Sequence, residues 1–234
     1  MSGHSKWSSI KRQKGATDAK RGAVFTKLAN QITLAAREGG GDPEMNFKLR
    51  LALDVARQSN LPKDNMERAI KRGTGELEGG RIEEITYEGF GPGGVAVLIQ
   101  AVTDNRNRTS ASVKHLLSKY GGSLGGPNTV AWMFENRGVI RISQADENLE
   151  LELIDAGAID MQRDQDGVQI LTVPQDLQKV KEYLESKNIA ILYAENEFVP
   201  KELTVTNDLE KIEKLIAALE DDEDISQVYT NAKF

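Results

Sequence analysis

The 234-residue sequence contains no cysteine and only two histidines, His4 and His115. Without cysteine the chain can form no disulfide, no thiolate nucleophile and no Cys-ligated metal site. The two histidines are far apart, and no His-x-x-x-His spacing of the kind that binds zinc occurs. We therefore expect neither a metal ion nor another cofactor. The absence of cysteine is also typical of proteins from a reducing compartment.

Long apolar runs are also missing. No stretch of about 18 apolar residues is present, so the sequence predicts no transmembrane helix and no membrane partner. The N-terminus is basic but has no apolar core behind its charges, which is unlike a secretory signal peptide. We expect a cytoplasmic protein, whose 39% hydrophobic content is sufficient for globular cores.

Charge is distributed unevenly along the chain, whose net charge is −6. Residues 1–72 contain 15 Lys and Arg against 7 Asp and Glu, whereas residues 73–234 contain 15 against 29. Such asymmetry is typical of a module that faces nucleic acid joined to modules with another role. We expect the acidic part to contact a protein partner or to stay apart from the phosphate surface.

The first 27 residues form the most basic segment, with seven Lys and Arg against a single acid, Asp18. We predict that these cations neutralise the phosphates of a nucleic acid and release its counterions. They are Lys6, Lys11, Arg12, Lys14, Lys20, Arg21 and Lys27. Trp7 lies among them and either stacks on an exposed base or anchors the segment on the helical domain. The alternative for the whole segment is a solvated tail.

Hydrophobic periodicity divides the rest of the chain into helices and strands. A helical period followed by glycines predicts three helices, at about 18–37, 43–57 and 62–72. Beyond a glycine-rich linker at 73–81, strand-like and helical stretches alternate. The strands are predicted at 82–90, 95–102, 130–134, 203–205 and 225–229, and the helices at about 107–120 and 207–219.

The stretch 138–199 has the order β-α-β-β-α-β, which is that of a ferredoxin-like domain. The segments 95–134 and 203–229 are each β-α-β, and together they complete a second such domain. We therefore predict an α+β protein of three domains, with an N-terminal three-helix domain followed by two ferredoxin-like α/β domains, one inserted in the other. The predicted boundaries are 1–76 for the helical domain, 77–135 with 200–234 for the discontinuous one, and 136–199 for the inserted one.

Two arginines, Arg106 and Arg108, follow a buried strand and open a helix in the sequence TDNRNRT. With the backbone N–H groups of the helix start they would suit a phosphate. The alternative is a capped turn in which both arginines are surface charges. The glycines at 91–94 lack a following Walker lysine and indicate a hairpin turn. Those at 121–126 indicate another turn, beside which Trp132 is a candidate for a partner surface.

Catalytic chemistry has little support in the sequence. The acidic run EDDED at 220–224 would attract Mg²⁺ in a nuclease, but it lies at a helix end and is typical of a solvated turn. No Ser/His/Asp arrangement can be assembled with any spacing logic. We predict a non-enzymatic protein without catalytic residues, with a Mg-dependent nuclease as the alternative.

Several long strings are similar to those of the YebC/PmpR family, which includes the mitochondrial translational activator of cytochrome c oxidase. In the N-terminal part they are GHSKW at 3–7, DAKRG at 18–22, FTKL at 25–28 and LPKDNMERAIKRGTG at 61–75. Further along they are YEGFGPGGVAV at 87–97, TDNRNRT at 103–109, GGSLG at 121–125 and VAWMF at 130–134. The chain departs from the family pattern at Phe47, where proline is usual after the asparagine.

The resemblance implies three domains, with the third inserted into the second, and a cytoplasmic, non-enzymatic regulator of gene expression. Family members are described as DNA-binding transcriptional regulators, while others resemble ribosome-associated translation factors, which implies binding to ribosomal RNA or tRNA. The expected partner is therefore DNA, or else ribosomal RNA on the ribosome. The basic segment supplies charge without a base code, so both nucleic acids stay open.

Overall fold

The structure is a computed structural model, and it describes residues 18–78, 80 and 82–234. Three helices open the described part: α1 (Asp18–Gly39), α2 (Phe47–Gln58) and α3 (Lys63–Gly73). Their number and order are as the hydrophobic period predicts. The start of α2 lies four residues later than expected because Asn46 is its N-cap, with a side chain that accepts a hydrogen bond from the Leu49 N–H at 3.0 Å.

The three helices pack around one apolar core, whose fully buried members include Ile32, Leu49 and Ala56. Asn46 ties the first two helices together, since its amide also donates to the carbonyls of Ala35 and Gly40, both at 2.8 Å. At the end of α3, Gly73 allows a close approach to α1, where a Cβ would lie 2.4 Å from a backbone oxygen.

Strands and helices alternate through the rest of the chain. In order they are β1 (Glu83–Phe90), β2 (Ala96–Thr103), α4 (Arg106–Lys119), β3 (Ser123–Leu124), β4 (Phe134–Ile142), α5 (Glu147–Ala156), β5 (Ala158–Asp164), β6 (Gly167–Thr172), α6 (Leu177–Ser186), β7 (Ile191–Pro200), α7 (Leu209–Glu220) and β8 (Ile225–Thr230). Short 3₁₀ turns precede β2, β4 and α6. No helix among the described residues is both long enough and apolar enough to cross a membrane.

The strands form two four-stranded antiparallel sheets. The first has the order β3-β1-β2-β8, so that β8 from the end of the chain pairs with β2, with Leu98 opposite Tyr229. Helices α4 and α7 cover this sheet, and Val113, Leu117, Ile212 and Ile216 are fully buried in its core. Each such side chain contributes about 1.5–3 kcal/mol by leaving water.

The second sheet lies in a compact unit of residues 134–199 and has the order β5-β6-β4-β7. Numbered within the unit this is 2-3-1-4, the ferredoxin-like order that the β-α-β-β-α-β pattern predicts. Helices α5 and α6 supply its core with β4, and Ile140, Leu153 and Leu177 are fully buried. Arg141, only 3% exposed, forms a two-bonded ion pair with Asp164 across this sheet.

The other compact unit joins residues 18–133 to 200–234, and its sheet differs from the prediction in two strands. Ala131–Met133 form a 3₁₀ turn instead of a strand, and Phe134 begins β4. The N–H groups of Val130 and Ala131 bind a carboxylate and not a neighbouring strand. Residues 203–205 contribute only an isolated bridge, from Thr204 to Ala232. The predicted strand at 82–90 takes a central place instead, in a hairpin with β2. The α+β class is confirmed, and the domain boundaries stay predictions.

The carboxylate that shapes the 3₁₀ turn is that of Glu88, which is 8% exposed. Its oxygens accept hydrogen bonds from the backbone N–H groups of Asn128 at 2.8 Å, Val130 at 2.8 Å and Ala131 at 2.7 Å. Burial by itself raises the pKa of Glu88, but the backbone hydrogen bonds outweigh it and hold the pKa below the ordinary carboxyl value. A buried charge in strand β1 thus fixes a loop that lies forty residues later.

We expect Glu88→Gln to destabilise the protein by about 2 kcal/mol, because an amide cannot accept three charge-assisted hydrogen bonds. Urea unfolding measures the loss, and hydrogen exchange should show faster opening at the amides of Asn128, Val130 and Ala131. The matched control is Glu83→Gln on the exposed part of the same strand. Equal stability of the two variants at pH 7 would contradict the assigned role of Glu88.

Candidate nucleic-acid interface

The basic N-terminal segment is only partly described by the structure. Lys6, Trp7, Lys11, Arg12 and Lys14 lie outside the described residues. Lys20 and Arg21 lie in the first turn of α1, which continues the basic segment into the helical region. Their predicted contact with phosphates stays a prediction.

Lys27, the last cation of that segment, faces inward. Its ammonium donates a hydrogen bond to the carbonyl of Glu220 at the end of α7. Burial lowers the pKa of Lys27 from 10.5 to about 8, although the acids at 220–223 act in the opposite direction. Lys27 therefore holds α1 against the acidic turn at 220–224, and this contact must break before the ammonium can reach a phosphate.

The acidic turn is a hydrogen-bonded part of the fold. Asp224 accepts both Nε and Nη2 of Arg108, at 3.0 and 2.7 Å, and the hydroxyl of Thr109 at 2.8 Å. Burial raises the pKa of Asp224, but the hydrogen bonds from Arg108 and Thr109 prevail and lower it. A neighbouring carboxylate, Asp222, accepts the hydroxyl of Ser112. Two of the acids that suggested a metal site in the sequence, Asp222 and Asp224, thus bind α4 instead.

The two arginines of TDNRNRT have different surroundings. Arg108 is paired with Asp224 and, at 3.1 Å, with Asp104. Arg106 is exposed. The side chain of Asn105 caps α4 by accepting the Arg108 N–H at 3.1 Å, which favours the capped-turn interpretation of this motif. Only Arg106 of the pair reaches solvent without an ion pair in the described part of the chain.

The third helix presents a cationic face. Its inward side packs on the helical core through Met66, Ala69 and Ile70. Its exposed polar side chains are Asn65 and the three cations Arg68, Lys71 and Arg72, together with Asp64 and the Lys63–Glu67 ion pair. Asn65, Arg68 and Arg72 follow one another at spacings of three and four residues, so they share one face of the helix. None of the three cations forms an ion pair within the described ranges.

A cleft of about 700 Å³ separates the helical region from the acidic turn. Thr26, Asn30 and Arg72 line one side, and Arg108 with the acids at 222–224 lines the other. Because both signs of charge line the cleft, it is unsuited to a continuous polyanion. The exposed side of α3 is the more favourable surface for phosphates.

The glycine turn at 91–94 has a structural role. Gly93 has a φ of 69°, and a Cβ at this position would lie 2.2 Å from the hydroxyl oxygen of Thr206. The turn therefore closes on the segment before α7, which agrees with the hairpin interpretation and leaves no room there for a phosphate. In the described residues no group of three or more His, Asp or Glu is placed to hold a metal ion.

Sequence reasoning missed two parts of this arrangement. The sequence shows the cations of α3, but their exposure depends on which side of the helix packs inward. The alternation of Met66, Ala69 and Ile70 with polar residues was the available signal. The inward turn of Lys27 had no local signal, because its partner lies 193 residues away in the sequence.

Lys27 should make stability depend on pH in the alkaline range. Between pH 8 and 10.5 the unfolded chain keeps the proton on this lysine while the folded chain loses it, so stability rises with pH. We expect wild type to gain about 2 kcal/mol over Lys27→Met between pH 7 and 9.5, by urea unfolding. The control Lys48→Met, at an exposed site, should show no such gain. Parallel curves for wild type and Lys27→Met would contradict the assignment.

Comparison with known proteins places this geometry in a family. Residues 5–76 match the TACO1/YebC protein N-terminal domain, and residues 82–232 match the TACO1/YebC second and third domain. The chain is 51% identical to a probable transcriptional regulatory protein of Chlorobaculum tepidum, over 99% of this chain and 94% of the relative. It is 49% identical to one from Desulfosudis oleivorans, over 99% and 96%.

A solved structure shows the same fold. The crystal structure of a conserved hypothetical protein from Aquifex aeolicus superposes with a TM-score of 0.83 at 43% sequence identity, covering 92% of this chain and 91% of that one. The strings singled out in the sequence, the two sheets and these matches agree. The protein is a member of the TACO1/YebC family.

Proposed function

We propose that this protein is a non-enzymatic regulator of gene expression that binds nucleic acid through its helical region. The exposed cationic face of α3, with Arg68, Lys71 and Arg72 free of ion pairs in the described part of the chain, carries the proposal. The basic segment before α1 adds further cations to the same region. Cations without internal partners are those that release counterions from phosphates.

Duplex DNA is the first target that we propose. The relatives are named probable transcriptional regulatory proteins, and α3 offers residue types that read bases. Arginine pairs with guanine and asparagine with adenine in the major groove, and Arg68 and Asn65 share one face of the helix. Family members that resemble translation factors make structured RNA the second candidate, which the exposed Trp132 favours because an aromatic ring stacks on unpaired bases.

The acidic α/β region would then have a different role. Its net negative charge repels phosphates, so the main contact with nucleic acid lies on the helical region. A protein partner on the acidic surface remains part of the proposal. Catalysis is not part of it, because two carboxylates of the acidic turn, those of Asp222 and Asp224, are engaged by α4.

Charge reversal on α3 tests the proposal. We expect Arg68→Glu with Lys71→Glu to weaken binding to duplex DNA and to structured RNA at least tenfold at low salt, and to reduce the slope of log K against log salt by about 2. Lys11→Glu with Arg12→Glu should have the same kind of effect. Fluorescence anisotropy with labelled nucleic acids over a salt series measures both quantities.

The matched control for this experiment is Lys179→Glu with Lys233→Glu, which changes the net charge equally at two exposed positions that belong neither to α3 nor to the basic segment. The control should lose much less affinity than the α3 variant. Equal losses would show that only net charge matters, and unchanged affinity of the α3 variant would remove this helix from the interface. Tighter binding to duplex DNA than to RNA in wild type would select the transcriptional role.

The absence of catalysis can be tested separately. We expect no cleavage of labelled DNA or RNA when the purified protein is incubated with Mg²⁺. The relevant variant is Asp222→Asn, in the acidic turn. Cleavage by wild type that this substitution abolishes would establish the nuclease alternative and overturn the non-enzymatic assignment.

A further inference from the structure

Trp132 lies outside the helical region to which the proposed function assigns the main contact. It is 65% exposed, and it is the one exposed aromatic side chain among the described residues. Its neighbours along the chain do not share this exposure, since Val130 is fully buried and Phe134 is 5% exposed. The backbone is thus anchored on both sides while the indole faces solvent.

The loop that presents Trp132 is held in a single conformation. Glu88 binds three of its N–H groups, and the Gly125 N–H donates to the Glu88 carbonyl at 2.7 Å. The indole N–H donates to the carbonyl of Thr129 at 3.2 Å, which orients the ring. A preorganised aromatic ring binds a partner with little loss of conformational freedom.

Cations outnumber acids along the chain next to this loop, although Glu135 and Glu202 also flank it. The loop residues 121–131 carry no charge, and the one carboxylate they bind, that of Glu88, is buried. The helix that leads into the loop, α4, contains four cations and no acid: Arg106, Arg108, Lys114 and Lys119. Of these, Lys114 and Lys119 are exposed toward the end of the helix that joins the loop. On the other side, the Lys201 N–H donates to the carbonyl of Met133, the residue after Trp132, at 2.9 Å.

The arrangement resembles the stacking platforms of proteins that bind single-stranded nucleic acid. Such proteins combine an aromatic face for the base with nearby cations for the backbone. A protein partner would also use an exposed tryptophan, but it would gain little from a neutral loop next to which cations outnumber acids. A base pair inside a duplex cannot stack on the ring, because both of its faces are covered.

We propose that Trp132 stacks on an unpaired base of a single-stranded or looped nucleic acid, with Lys119 and Lys201 near the flanking phosphates. This inference rests on the proposed function and adds a second contact region, on the α/β part, to the one on α3. The ligand chemistry is an exposed base next to phosphate, which single-stranded DNA and RNA both supply.

Tryptophan fluorescence tests the inference directly, since the chain contains only Trp7 and Trp132. In a Trp7→Phe background, the probes are labelled oligonucleotides of deoxythymidine and of uridine about 15 nucleotides long. We expect either probe to quench the fluorescence of Trp132 as it binds. Trp132→Ala should weaken binding about tenfold, as for the loss of one stacked base, with Trp132→Phe close to wild type. Affinity for a blunt duplex should stay unchanged.

The comparison of the two probes identifies the type of nucleic acid that the site binds. Tighter binding of the uridine oligonucleotide would assign the site to RNA, and tighter binding of the deoxythymidine oligonucleotide would assign it to DNA. Glu88→Gln provides a second test: it keeps the indole but loosens its loop, and we expect an intermediate loss of affinity. Binding by anisotropy without quenching of Trp132, or with equal affinity for Trp132→Ala, would overturn this inference and leave the α3 interface intact. Absence of binding by every nucleic acid at low salt would overturn both.

Discussion

The carboxylate of Asp224 joins parts of the chain that are far apart in sequence. It accepts the guanidinium of Arg108 and the hydroxyl of Thr109, while the carbonyl of the same residue accepts the N–H of Val102 at 2.8 Å. The segment after α7 is thereby fixed to the end of β2 and to the start of α4. Strand β8 follows this turn directly and completes the first sheet by pairing with β2. The pairing of the C-terminal segment with β2 therefore depends on the turn.

The same turn also receives the helical region. With Asp224 and Asp222 engaged by α4, the carbonyl of Glu220 remains available to the ammonium of Lys27. Burial lowers the pKa of that ammonium, although the acids of the turn act in the opposite direction. The hydrogen bond to Glu220 ties α1 to the end of α7.

Much of the fold could be predicted from periodicity, because helices with apolar stripes and strands with apolar runs are specified locally. The three N-terminal helices and the β-α-β-β-α-β order of 138–199 are of this kind. The predictions are wrong where a side chain that is distant in sequence determines the local backbone structure. Residues 130–134 are an apolar run typical of a strand, yet Glu88 accepts the N–H groups of Val130 and Ala131, and no local pattern reveals a carboxylate forty residues earlier. The basic segment could be recognised by composition alone. Composition could not show which cations are hydrogen-bonded to other parts of the protein.

Some cations are already hydrogen-bonded inside the protein, whereas others have no such bond in the part of the chain that the structure describes. This difference affects how strongly the protein could bind a polyanion. Counterion release requires a cation that gives up only water when it meets a phosphate. Arg108 would have to leave two hydrogen bonds to Asp224, and Lys27 would have to leave Glu220, so neither adds its full share. Arg68, Lys71 and Arg72 have no such internal partner in the described chain. A count of all Lys and Arg therefore overestimates the number of cations that are available to phosphates, because the acidic turn already binds Arg108 and the carbonyl of Glu220 binds Lys27.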